Sequence, residues 1–364
     1  MADKYRILIA GGGTGGHLFP SIAIGTALKN NGFDICYVGS KFGIESNIFG
    51  NQKEPYYLLN IRGIQRSLSF RSLGINLLFP FRFIYSYLKS RKIIKSFSPD
   101  VVVGTGGYAS GLPLLVATQL NIKTLIQEQN SYPGMVTRNL SKKINTICIA
   151  FEDAKSYLPN SHCILTGNPV RNNITLVNKI SAKKNLGLDI NKQTIFITGG
   201  SQGSRPINNH FKSNHKLYTD AGIQLLWQCG ALDYEELKLN IDDNNIILTD
   251  FIDDMATAYS CADLVISRAG ALAIAELSSV GKATILIPFP HAAGNHQLKN
   301  AQSLSTRNAT ILIEQSTLKT GILEKTAIDV INNEKQKKEL QKEIATFESL
   351  NASSIIIKEI EKLI

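Results

Sequence analysis

Short runs of β-branched and aliphatic residues recur along this chain of 364 residues, and stretches of helical length separate most of them. Short apolar runs of this kind are typical of strands that are buried on both faces of a parallel sheet. Seven runs in the first half and six in the second predict strands, at residues 6–11, 34–39, 56–61, 100–104, 124–127, 146–150, 163–166, 194–198, 224–228, 246–249, 264–267, 284–288 and 310–313.

Helices between these strands predict an α/β fold with parallel, doubly wound sheets. The clearest helix spans 21–31, with Pro20 at its start and Gly32 as the residue that ends it. Residues 167–171 are rich in turn-forming residues and are predicted to connect the two halves of the chain. Because the chain is too long for a single core, we expect two Rossmann-like domains, 1–168 and 169–344. The last segment, 336–364, is charged and helical in pattern, and we expect the C-terminal helix 345–364 to join the first domain.

The composition is that of a globular protein, with 43% hydrophobic and 19% charged residues. Five scattered cysteines without a C-x-x-C spacing indicate buried thiols in a reducing cytosol, not disulfides or a zinc site. The N-terminus runs directly into the first strand, so we expect no signal peptide. A net charge of +10 indicates an anionic partner, which could be nucleic acid, anionic lipid or a phosphorylated substrate.

Three glycine-rich turns each follow a predicted strand, at residues 11–16, 104–107 and 199–203. Glycines let backbone N–H groups approach a phosphate closely, and the N-terminus of the following helix favours negative charge. These turns indicate that both halves of the chain handle phosphorylated ligands. His17 follows the first turn, at the edge of the sheet where ligands bind in this architecture. We therefore expect it to act as a general base or to contact a substrate.

The spacing of Gly11, Gly13 and Gly16 also fits the G-x-G-x-x-G fingerprint of dinucleotide-binding dehydrogenases. That fingerprint needs an acidic residue at the end of the second strand to hold the ribose hydroxyls. Residues 36–40, where that strand ends, include neither an acidic residue nor an arginine, and Asp34 lies at its start. The pattern therefore argues against a dehydrogenase.

In the second half, residues 263–276 predict a strand, a turn and a helix. The N–H groups of Ala271 and Leu272 at the helix start suit a diphosphate, and Glu276 can accept both hydroxyls of a ribose. The amides and histidines at 288–301 suit a sugar, whose hydroxyls need several fixed donors and acceptors. No Asp-x-Asp cluster is present, and the acidic pairs at 242–243 and 253–254 fit a turn and a helix start. We expect neither a metal nor a cofactor.

The apolar stretch 73–88 departs from the alternation of strands and helices. It is rich in aromatic residues, is interrupted by Pro80 and Arg82, and is too short to span a bilayer. Cations surround it: Arg62, Arg66, Arg71, Lys89, Arg91, Lys92 and Lys95. Part of the stretch is expected to be core beneath the sheet, but it has more apolar surface than a half-buried helix needs. We therefore expect it to contact an anionic membrane surface.

Seven sequence motifs occur in order along the chain. They are Gly12-Gly13-Thr14-Gly15-Gly16-His17, Gly106-Gly107-Tyr108-Ala109-Ser110-Gly111, Glu128-Gln129-Asn130, Gly167-Asn168-Pro169-Val170-Arg171, Gly199-Gly200-Ser201-Gln202-Gly203, Phe251-Ile252-Asp253-Asp254-Met255 and residues 268–276. Over nearly its whole length the chain resembles the MurG family of N-acetylglucosaminyltransferases, which convert lipid I to lipid II in peptidoglycan synthesis. The resemblance implies a GT-B fold, in which the parallel sheets of two Rossmann-like domains face a central cleft.

The resemblance also implies an inverting, metal-independent transfer of GlcNAc from UDP-GlcNAc to the C4 hydroxyl of the MurNAc in lipid I. Inversion needs a base to take the acceptor proton, and amides at a helix start can stabilise the leaving UDP. By resemblance, the UDP-GlcNAc site comprises Thr14, Gly15, Gly16, Asn130, Arg171, Ser201, Ile252, Ala271, Leu272, Ala273, Ile274, Ala275, Glu276 and Gln297.

Within that set, Ile252 would lie at the uracil, Glu276 at the ribose and Gln297 at the sugar. The acceptor diphosphate would bind the second glycine turn, at Gly104, Thr105, Gly106, Gly107 and Tyr108. His17 is the position suspected of acting as base or of contacting the acceptor. Ala273 departs from the threonine that is usual in the family, which removes one hydroxyl contact to the donor phosphates.

The partners that the resemblance implies are UDP-GlcNAc, lipid I, other proteins of cell-wall synthesis or division, and an anionic membrane surface that meets 73–88 and its basic flanks. Nucleic acid is not expected. The implied location is peripheral, on the cytoplasmic face of the bacterial inner membrane.

Two alternatives to this function remain open. A non-hydrolysing sugar-nucleotide epimerase shares the architecture but needs no lipid-facing surface, and a basic RNA-binding protein explains the charge but not the three turns.

Overall fold

The computed structural model describes residues 4–51, 53–63, 76–170, 174–347 and 351–364. The chain divides into two compact units, one of residues 1–172 with 349–364 and the other of residues 173–348. The sequence had placed these divisions at 168/169 and at 344/345. Each unit is built around one parallel sheet with helices on both faces, which is the predicted α/β class.

The first unit contains a sheet of seven parallel strands in the order β3-β2-β1-β4-β5-β6-β7. The strands are β1 (Arg6–Ala10), β2 (Asp34–Ser40), β3 (Tyr56–Leu59), β4 (Val101–Gly104), β5 (Lys123–Glu128), β6 (Thr146–Ile149) and β7 (Cys163–Leu165). Strand β1 pairs with β2 on one side and β4 on the other, with Ile7 opposite Ile35 and Val101. The strand order reverses here, and ligands bind at such switch points in open α/β sheets.

The second unit contains six parallel strands in the order β10-β9-β8-β11-β12-β13. The strands are β8 (Thr194–Thr198), β9 (Gln224–Gln228), β10 (Ile246–Thr249), β11 (Leu264–Ser267), β12 (Thr284–Leu286) and β13 (Ile311–Leu312). Here β8 lies between β9 and β11, which gives this sheet a switch point of its own. Strands β8 to β11 have the bounds that the sequence predicted.

The described helices flank these sheets. They are α1 (Gly15–Asn30), α2 (Glu45–Ile48), α3 (Phe79–Phe97), α4 (Gly107–Gln119), α5 (Met135–Leu140), α6 (Lys179–Asn185), α7 (Arg205–Thr219), α8 (Ala231–Asn240), α9 (Met255–Cys261), α10 (Ala271–Ser279), α11 (His296–Ser305), α12 (Ile322–Asn332), α13 (Glu334–Ala345) and α14 (Ala352–Glu361). Short 3₁₀ turns occur at Phe49–Asn51, Ser141–Lys143, Glu152–Tyr157, Ala293–Asn295 and Gln315–Thr320.

Helix α1 begins earlier than its sequence predicted. It starts at Gly15, so that Pro20 lies inside the helix instead of at its beginning. Two glycines and a proline in the first turns disfavour a helix on propensity alone, and burial of Leu18 and Ile24 against the sheet outweighs that preference. The predicted end is confirmed, because Gly32 has a φ of +85° and its N–H donates to the carbonyl of Lys29 at 2.9 Å.

The core explains why the strand sequences are apolar without interruption. In β1, Leu8 and Ala10 belong to one buried cluster, and Ile7 and Ile9 belong to another. All four side chains are fully buried. Because neighbouring residues of a strand point to opposite faces, the first sheet is covered on both sides.

The C-terminal segment divides between the two units. Helix α13 belongs to the second unit, whereas α14 belongs to the first. Ile356 and Ile360 of α14 are fully buried in the same cluster as Leu18 and Ile24 of α1. The last helix of the chain therefore covers one face of the first sheet.

Candidate active site

The described residues that the sequence singled out lie just after strands β1, β4 and β5 in the first unit. In the second unit they follow β8, β10, β11 and β12, either in the loop after the strand or on the next helix. These positions are the carboxyl ends of parallel strands, which meet at one edge of a sheet. Within each unit, the fold therefore brings the predicted site residues to a single edge.

The first glycine turn binds a carboxylate of the protein itself. The N–H of Gly13 donates to both carboxylate oxygens of Glu45, at 3.0 and 2.8 Å, and the N–H of Ser40 donates to Oε1 at 2.8 Å. Glu45 is fully buried. A Cβ atom at Gly12 or Gly39 would lie 2.4 or 2.6 Å from Glu45, so both glycines are needed to make space for it. The role of Glu45 was not predicted.

A carboxylate at this place bears on the choice between ligand classes. In a dinucleotide-binding protein the corresponding turn holds the pyrophosphate. Here the N–H of Gly13 is already bound, and the negative charge of Glu45 would repel a phosphate at that amide. The structure therefore adds a second argument against a dehydrogenase. A search for carboxylates beyond the end of β2 could have found Glu45, which begins α2.

Replacing Glu45 by glutamine should lower the free energy of unfolding by about 1–3 kcal/mol. In either orientation the glutamine NH₂ group would face the N–H of Gly13, which would keep only one of its two acceptor atoms. Urea unfolding monitored by circular dichroism measures the change. The exposed Glu152→Gln variant of the same unit is the control. Equal stability of the two variants would contradict the structural role of Glu45.

The second glycine turn packs directly on His17. Gly106 and Gly107 have φ values of +85° and +71°. A Cβ atom at Gly106 would lie 2.8 Å from Nδ1 of His17, and one at Gly107 would lie 2.4 Å from the carbonyl oxygen of Gly12. The Thr105 hydroxyl donates to the carbonyl of His17 at 2.8 Å. The structure thus joins His17 to the turn that the resemblance assigns to the acceptor diphosphate.

The imidazole of His17 is held by two oxygen atoms. Its Nδ1 lies 3.1 Å from the carbonyl oxygen of Thr105 and 2.9 Å from Oε1 of Gln129. The residue is half-buried. A histidine with one fixed nitrogen and partial exposure has the arrangement that a general base requires.

The remaining members of the second turn have different surroundings. Gly104 is buried at the end of β4, and a Cβ atom there would lie 2.4 Å from Leu114, so packing requires this glycine. The Tyr108 ring lies against the first turn, because a Cβ atom at Gly13 would be 2.7 Å from it. Burial raises the pKa of Tyr108 above its ordinary value, although a hydrogen bond with Ser40 acts in the opposite direction. Tyr108, a residue of the second glycine turn, therefore packs against the first glycine turn.

A second buried carboxylate shapes the loop that carries Asn130. Glu128 accepts from the N–H of Asn130 at 3.1 Å, the N–H of Gly134 at 3.0 Å and the hydroxyl of Thr137 at 2.6 Å. Glu128 is 2% exposed. The sequence motif contained Glu128 but did not show its role, which is to fix the backbone on both sides of the loop.

In the second unit, the third glycine turn presents Ser201 at its tip. Gly200 and Gly203 have φ values of +89° and +73°, and the N–H of Gly203 donates to the carbonyl of Gly200 at 2.9 Å. The side-chain amide of Gln228 donates to the same carbonyl at 3.2 Å. Ser201 is exposed, so its hydroxyl is accessible to a ligand.

Helix α10 begins at Ala271, as the sequence predicted, with Gly270 as its N-cap. The first N–H groups of a helix have no acceptor within the helix and carry partial positive charge. Tyr259 donates its hydroxyl hydrogen to Oε2 of Glu276 at 3.0 Å. Burial, and then the charge of Glu276, raise the pKa of Tyr259 well above its ordinary value, so that it remains a donor. This hydrogen bond holds the Glu276 side chain in place on α10, the helix whose first N–H groups are predicted to bind the donor phosphates.

Ile252 lies in the loop after β10, and Gln297 lies in the first turn of α11, which follows β12. Ile252 is half-buried. Nearby, Asp254 accepts from the N–H of Thr257 at 3.1 Å and caps α9, which confirms the predicted helix start. Oε1 of Gln297 accepts from the N–H of Phe289 at 2.9 Å. This bond fixes the orientation of the Gln297 amide and leaves its NH₂ group as a donor.

Arg268 connects three loops of the second unit, and no role was predicted for it. One terminal nitrogen donates to the carbonyls of Ile287 and Pro288, both at 3.1 Å. The other donates at 2.6 Å to both the Ser204 hydroxyl and Oε1 of Gln315. Burial lowers the pKa of Arg268 to about 10. All four acceptors are neutral, so the guanidinium keeps a positive charge that favours anions beside the start of α10.

The structure leaves the predicted role of Arg171 untested, and it bears on a metal site only over the described residues. Arg171 lies outside the described residues, so its place in the site stays a prediction. Within residues 4–51, 53–63, 76–170, 174–347 and 351–364, no group of three or more His, Cys, Asp or Glu residues is arranged to hold a metal ion.

Helix α3 carries an exposed row of apolar side chains. Leu77 lies just before the helix, and with Phe81, Ile84, Tyr85 and Leu88 it forms what we call the apolar stripe, whose members are 56–77% exposed. Their spacing places them on one face of the helix. The opposite face includes Ser86, Ser90, Ile93 and Ile94, which are buried. Nothing in the described part of the chain has the length and hydropathy of a membrane-spanning helix.

The stretch 73–88 contributes in part to the core, as the sequence indicated, and lies in part outside the described residues. Phe79 is half-buried and packs against the core of the first unit, so it does not belong to the exposed surface. Residues 73–75, together with Arg66 and Arg71, lie outside the described residues. Of the cations nearby, Arg62 and Arg82 lie over the ring of Phe42 at 5.6 and 5.2 Å, while Arg91, Lys92 and Lys95 are exposed on α3.

Comparison with known proteins gives the class. Residues 7–149 match the glycosyltransferase family 28 N-terminal domain, and residues 194–356 match the C-terminal domain of that family. The crystal structure of Acinetobacter baumannii MurG is similar with a TM-score of 0.80 and 27% identity, and the similarity covers 99% of this chain and 100% of that one. The protein is a glycosyltransferase with the two Rossmann-like units of the GT-B fold.

A curated relative from Flavobacterium psychrophilum identifies the family within this class. It is 41% identical over 100% of this chain and 98% of its own length, and it is named UDP-N-acetylglucosamine–N-acetylmuramyl-(pentapeptide) pyrophosphoryl-undecaprenol N-acetylglucosamine transferase. The chain belongs to this family, the MurG family. The fold alone is shared with a putative UDP-N-acetylglucosamine 2-epimerase from Listeria monocytogenes, at a TM-score of 0.64 and 14% identity over 99% of this chain and 96% of that one.

Proposed function

We propose that the protein transfers GlcNAc from UDP-GlcNAc to the C4 hydroxyl of the MurNAc in lipid I, with inversion at C1 of the GlcNAc. The observation that carries this proposal is the full-length similarity to a transferase of that name. The C4 oxygen attacks C1, and the bond between C1 and the oxygen of the UDP β-phosphate breaks. UDP leaves with the electron pair of that bond, and the hydroxyl proton passes to a base.

On the acceptor side, His17 is that base, and the turn 104–108 binds the diphosphate of lipid I. Support comes from the direct contact of His17 with Thr105, Gly106 and Gly107. A base beside the acceptor diphosphate is close to the sugar that the diphosphate carries. Proton transfer to a positioned base contributes about 10²- to 10⁴-fold to such reactions.

On the donor side, the second unit binds most of UDP-GlcNAc. Ser201 and the first N–H groups of α10 hold the phosphates, Ile252 contacts the uracil, Glu276 accepts from the ribose hydroxyls, and Gln297 donates to the sugar. The N-terminus of α10 and the charge of Arg268 both stabilise the charge that develops on the leaving UDP. Thr14, Gly15, Gly16, Asn130 and Arg171 complete the proposed donor contacts.

The donor assignment can be tested without any acceptor. A ligand present at about 100 times its Kd stabilises a folded protein by about 2.7 kcal/mol. UDP should therefore raise the melting temperature, and NADH should not. A shift with NADH and none with UDP would support the dehydrogenase that the turn 11–16 and Glu45 argue against.

We also propose that the enzyme binds the cytoplasmic face of the plasma membrane through the apolar stripe. Apolar side chains insert into the interface, and basic residues at the surface attract anionic lipid with about 1 kcal/mol each. The exposed cations Arg91, Lys92 and Lys95 continue along α3 beyond Leu88. A membrane surface is where an acceptor with a lipid chain is found.

Replacing Phe81, Ile84 and Leu88 together by serine should release the protein from anionic vesicles in a sedimentation assay. These side chains are 72%, 58% and 59% exposed, so their loss should leave the fold and the activity on a short-chain, soluble acceptor intact. The control is Leu232→Ser with Leu239→Ser, a pair that is 82% and 88% exposed on the second unit. High salt should weaken binding of the wild type without abolishing it, since salt screens charges but not apolar contacts. Undiminished vesicle binding by the triple variant would place the membrane contact elsewhere.

A further inference from the structure

A buried chain of side-chain amides lies behind His17. Oε1 of Gln129 is 2.9 Å from Nδ1 of His17, and Nε2 of Gln129 donates to the carbonyls of Thr105 and Gln127 at 2.8 and 2.9 Å. The same Nε2 also contacts Oε1 of Gln127. Gln127 and Gln129 are 0% and 1% exposed. In a buried network of this kind, each donor has to face an acceptor.

The chain of amides continues to the segment that follows β7. Nε2 of Gln127 donates to Oδ1 of Asn168 at 2.9 Å, and Nδ2 of Asn168 donates to the carbonyl of Gln129 at 3.1 Å. Asn168 is 3% exposed. These two bonds orient the Gln127 amide so that its Oε1 faces Gln129. Gln129 is thereby surrounded by oxygen atoms on one side and by His17 on the other.

These contacts decide which way the Gln129 amide is turned. In the opposite orientation, its oxygen would face three other oxygen atoms and its NH₂ group would face His17. A buried polar group without a partner destabilises a protein by about 1–3 kcal/mol. Oε1 therefore faces His17 and accepts a hydrogen bond from it. The carbonyl of Thr105, 3.1 Å from Nδ1, is also an acceptor.

We propose that Gln129 is a positioning residue that holds His17 in the tautomer with the proton on Nδ1. A neutral imidazole has one N–H group, so its lone pair is then on Nε2. Nε2 is the nitrogen that takes the proton of the acceptor hydroxyl. The catalytic use of this tautomer rests on the proposed function of His17, whereas the tautomer itself follows from the amide network alone.

Nitrogen NMR of the full-length protein tests the tautomer without any substrate. The six histidines are labelled with ¹⁵N, and the signals of His17 are identified by their absence from the His17→Ala variant. At a pH where His17 is neutral, Nδ1 should resonate in the protonated, pyrrole-like range and Nε2 in the unprotonated, pyridine-like range. A His17 with its proton on Nε2, the tautomer that predominates in free histidine, would overturn the proposal.

The Gln129→Met variant tests the role of Gln129 directly, since methionine has a similar length but no amide oxygen. The Nε2-protonated form of His17 should then become detectable, and kcat should fall roughly three- to tenfold, with little change in KM for UDP-GlcNAc. Gln129→Glu keeps an acceptor for His17 and should retain the Nδ1–H signal, but its second oxygen would face the carbonyls of Thr105 and Gln127, so this variant should melt at a lower temperature. Gln119→Met, at an exposed position of the same unit, is the control.

The outcomes separate this inference from the proposed function. If Gln129→Met leaves both the His17 signals and kcat unchanged, Gln129 does not position the imidazole. Should Gln129→Met fail to fold, Gln129→Asn serves instead, because its shorter side chain keeps a polar amide but withdraws the oxygen from Nδ1 of His17, and it should change the His17 signals in the same direction. If the Nδ1–H tautomer is found but His17→Ala keeps full turnover, the tautomer stands and His17 is not the base.

Discussion

Replacing His17 by alanine is expected to lower kcat by about 10²- to 10⁴-fold, which is the contribution of a positioned general base. UDP affinity should change little, because His17 contacts the turn 104–107 of the first unit and the proposed donor contacts lie mostly in the second. Transfer rates at saturating donor and acceptor, together with calorimetry of UDP binding, measure the two quantities separately.

His162→Ala is the control for this variant, because His162 is an exposed histidine of the same unit. A substitution that removes only the side chain of the base should lower kcat and leave KM for the donor nearly unchanged. The opposite pattern, in which UDP affinity collapses while the bound donor is still transferred at the normal rate, would show that His17 belongs to the donor site.

Replacing Glu276 by alanine should raise KM for UDP-GlcNAc roughly 5- to 150-fold, which corresponds to the loss of about 1–3 kcal/mol from ribose hydroxyls left without their acceptor. Alanine also removes the acceptor of the buried Tyr259 hydroxyl. The melting temperature of the variant therefore has to be measured beside its kinetics. A lower melting temperature with an unchanged KM would mean that Glu276 only supports the fold.

Two further variants separate the roles of Glu276. Glu276→Gln keeps an acceptor for Tyr259 but loses the charge that favours the ribose hydroxyls, so KM should rise without a loss of stability. Tyr259→Phe removes the hydrogen bond to the Glu276 side chain and leaves the carboxylate, so the increase in KM should be smaller than for alanine. Glu235→Ala, an exposed position of the same unit, should match the wild type.

The sequence predicted the sheets well because their signal is local. Strands β8, β9 and β11 are apolar runs bounded by polar residues, and burial of every residue on both faces demands such runs. The start of α1 was predicted too late, since Gly15, Gly16 and Pro20 disfavour a helix locally and packing of Leu18 and Ile24 decides its formation. Propensity is a weak guide where tertiary contacts act against it.

The candidate site was harder to predict because its contacts join distant parts of the chain. His17 meets Gln129 across 112 positions, and Gly13 meets Glu45 across 32. No spacing rule links such pairs. The exposure of side chains on α3 could not be predicted for the same reason. The sequence placed Phe79 and Phe81 in one apolar stretch, and only the packing of the helix shows that the Phe79 ring contacts the core whereas the Phe81 ring is exposed.

Transfer of labelled GlcNAc from UDP-GlcNAc to a lipid I analogue tests the central claim most directly. With the full-length protein, we predict acceptor-dependent formation of a labelled disaccharide in which C1 has inverted, and release of one UDP for each sugar transferred. Loss of label from UDP-GlcNAc without acceptor, or its conversion to the 2-epimer with no disaccharide formed, would contradict the account and favour an epimerase.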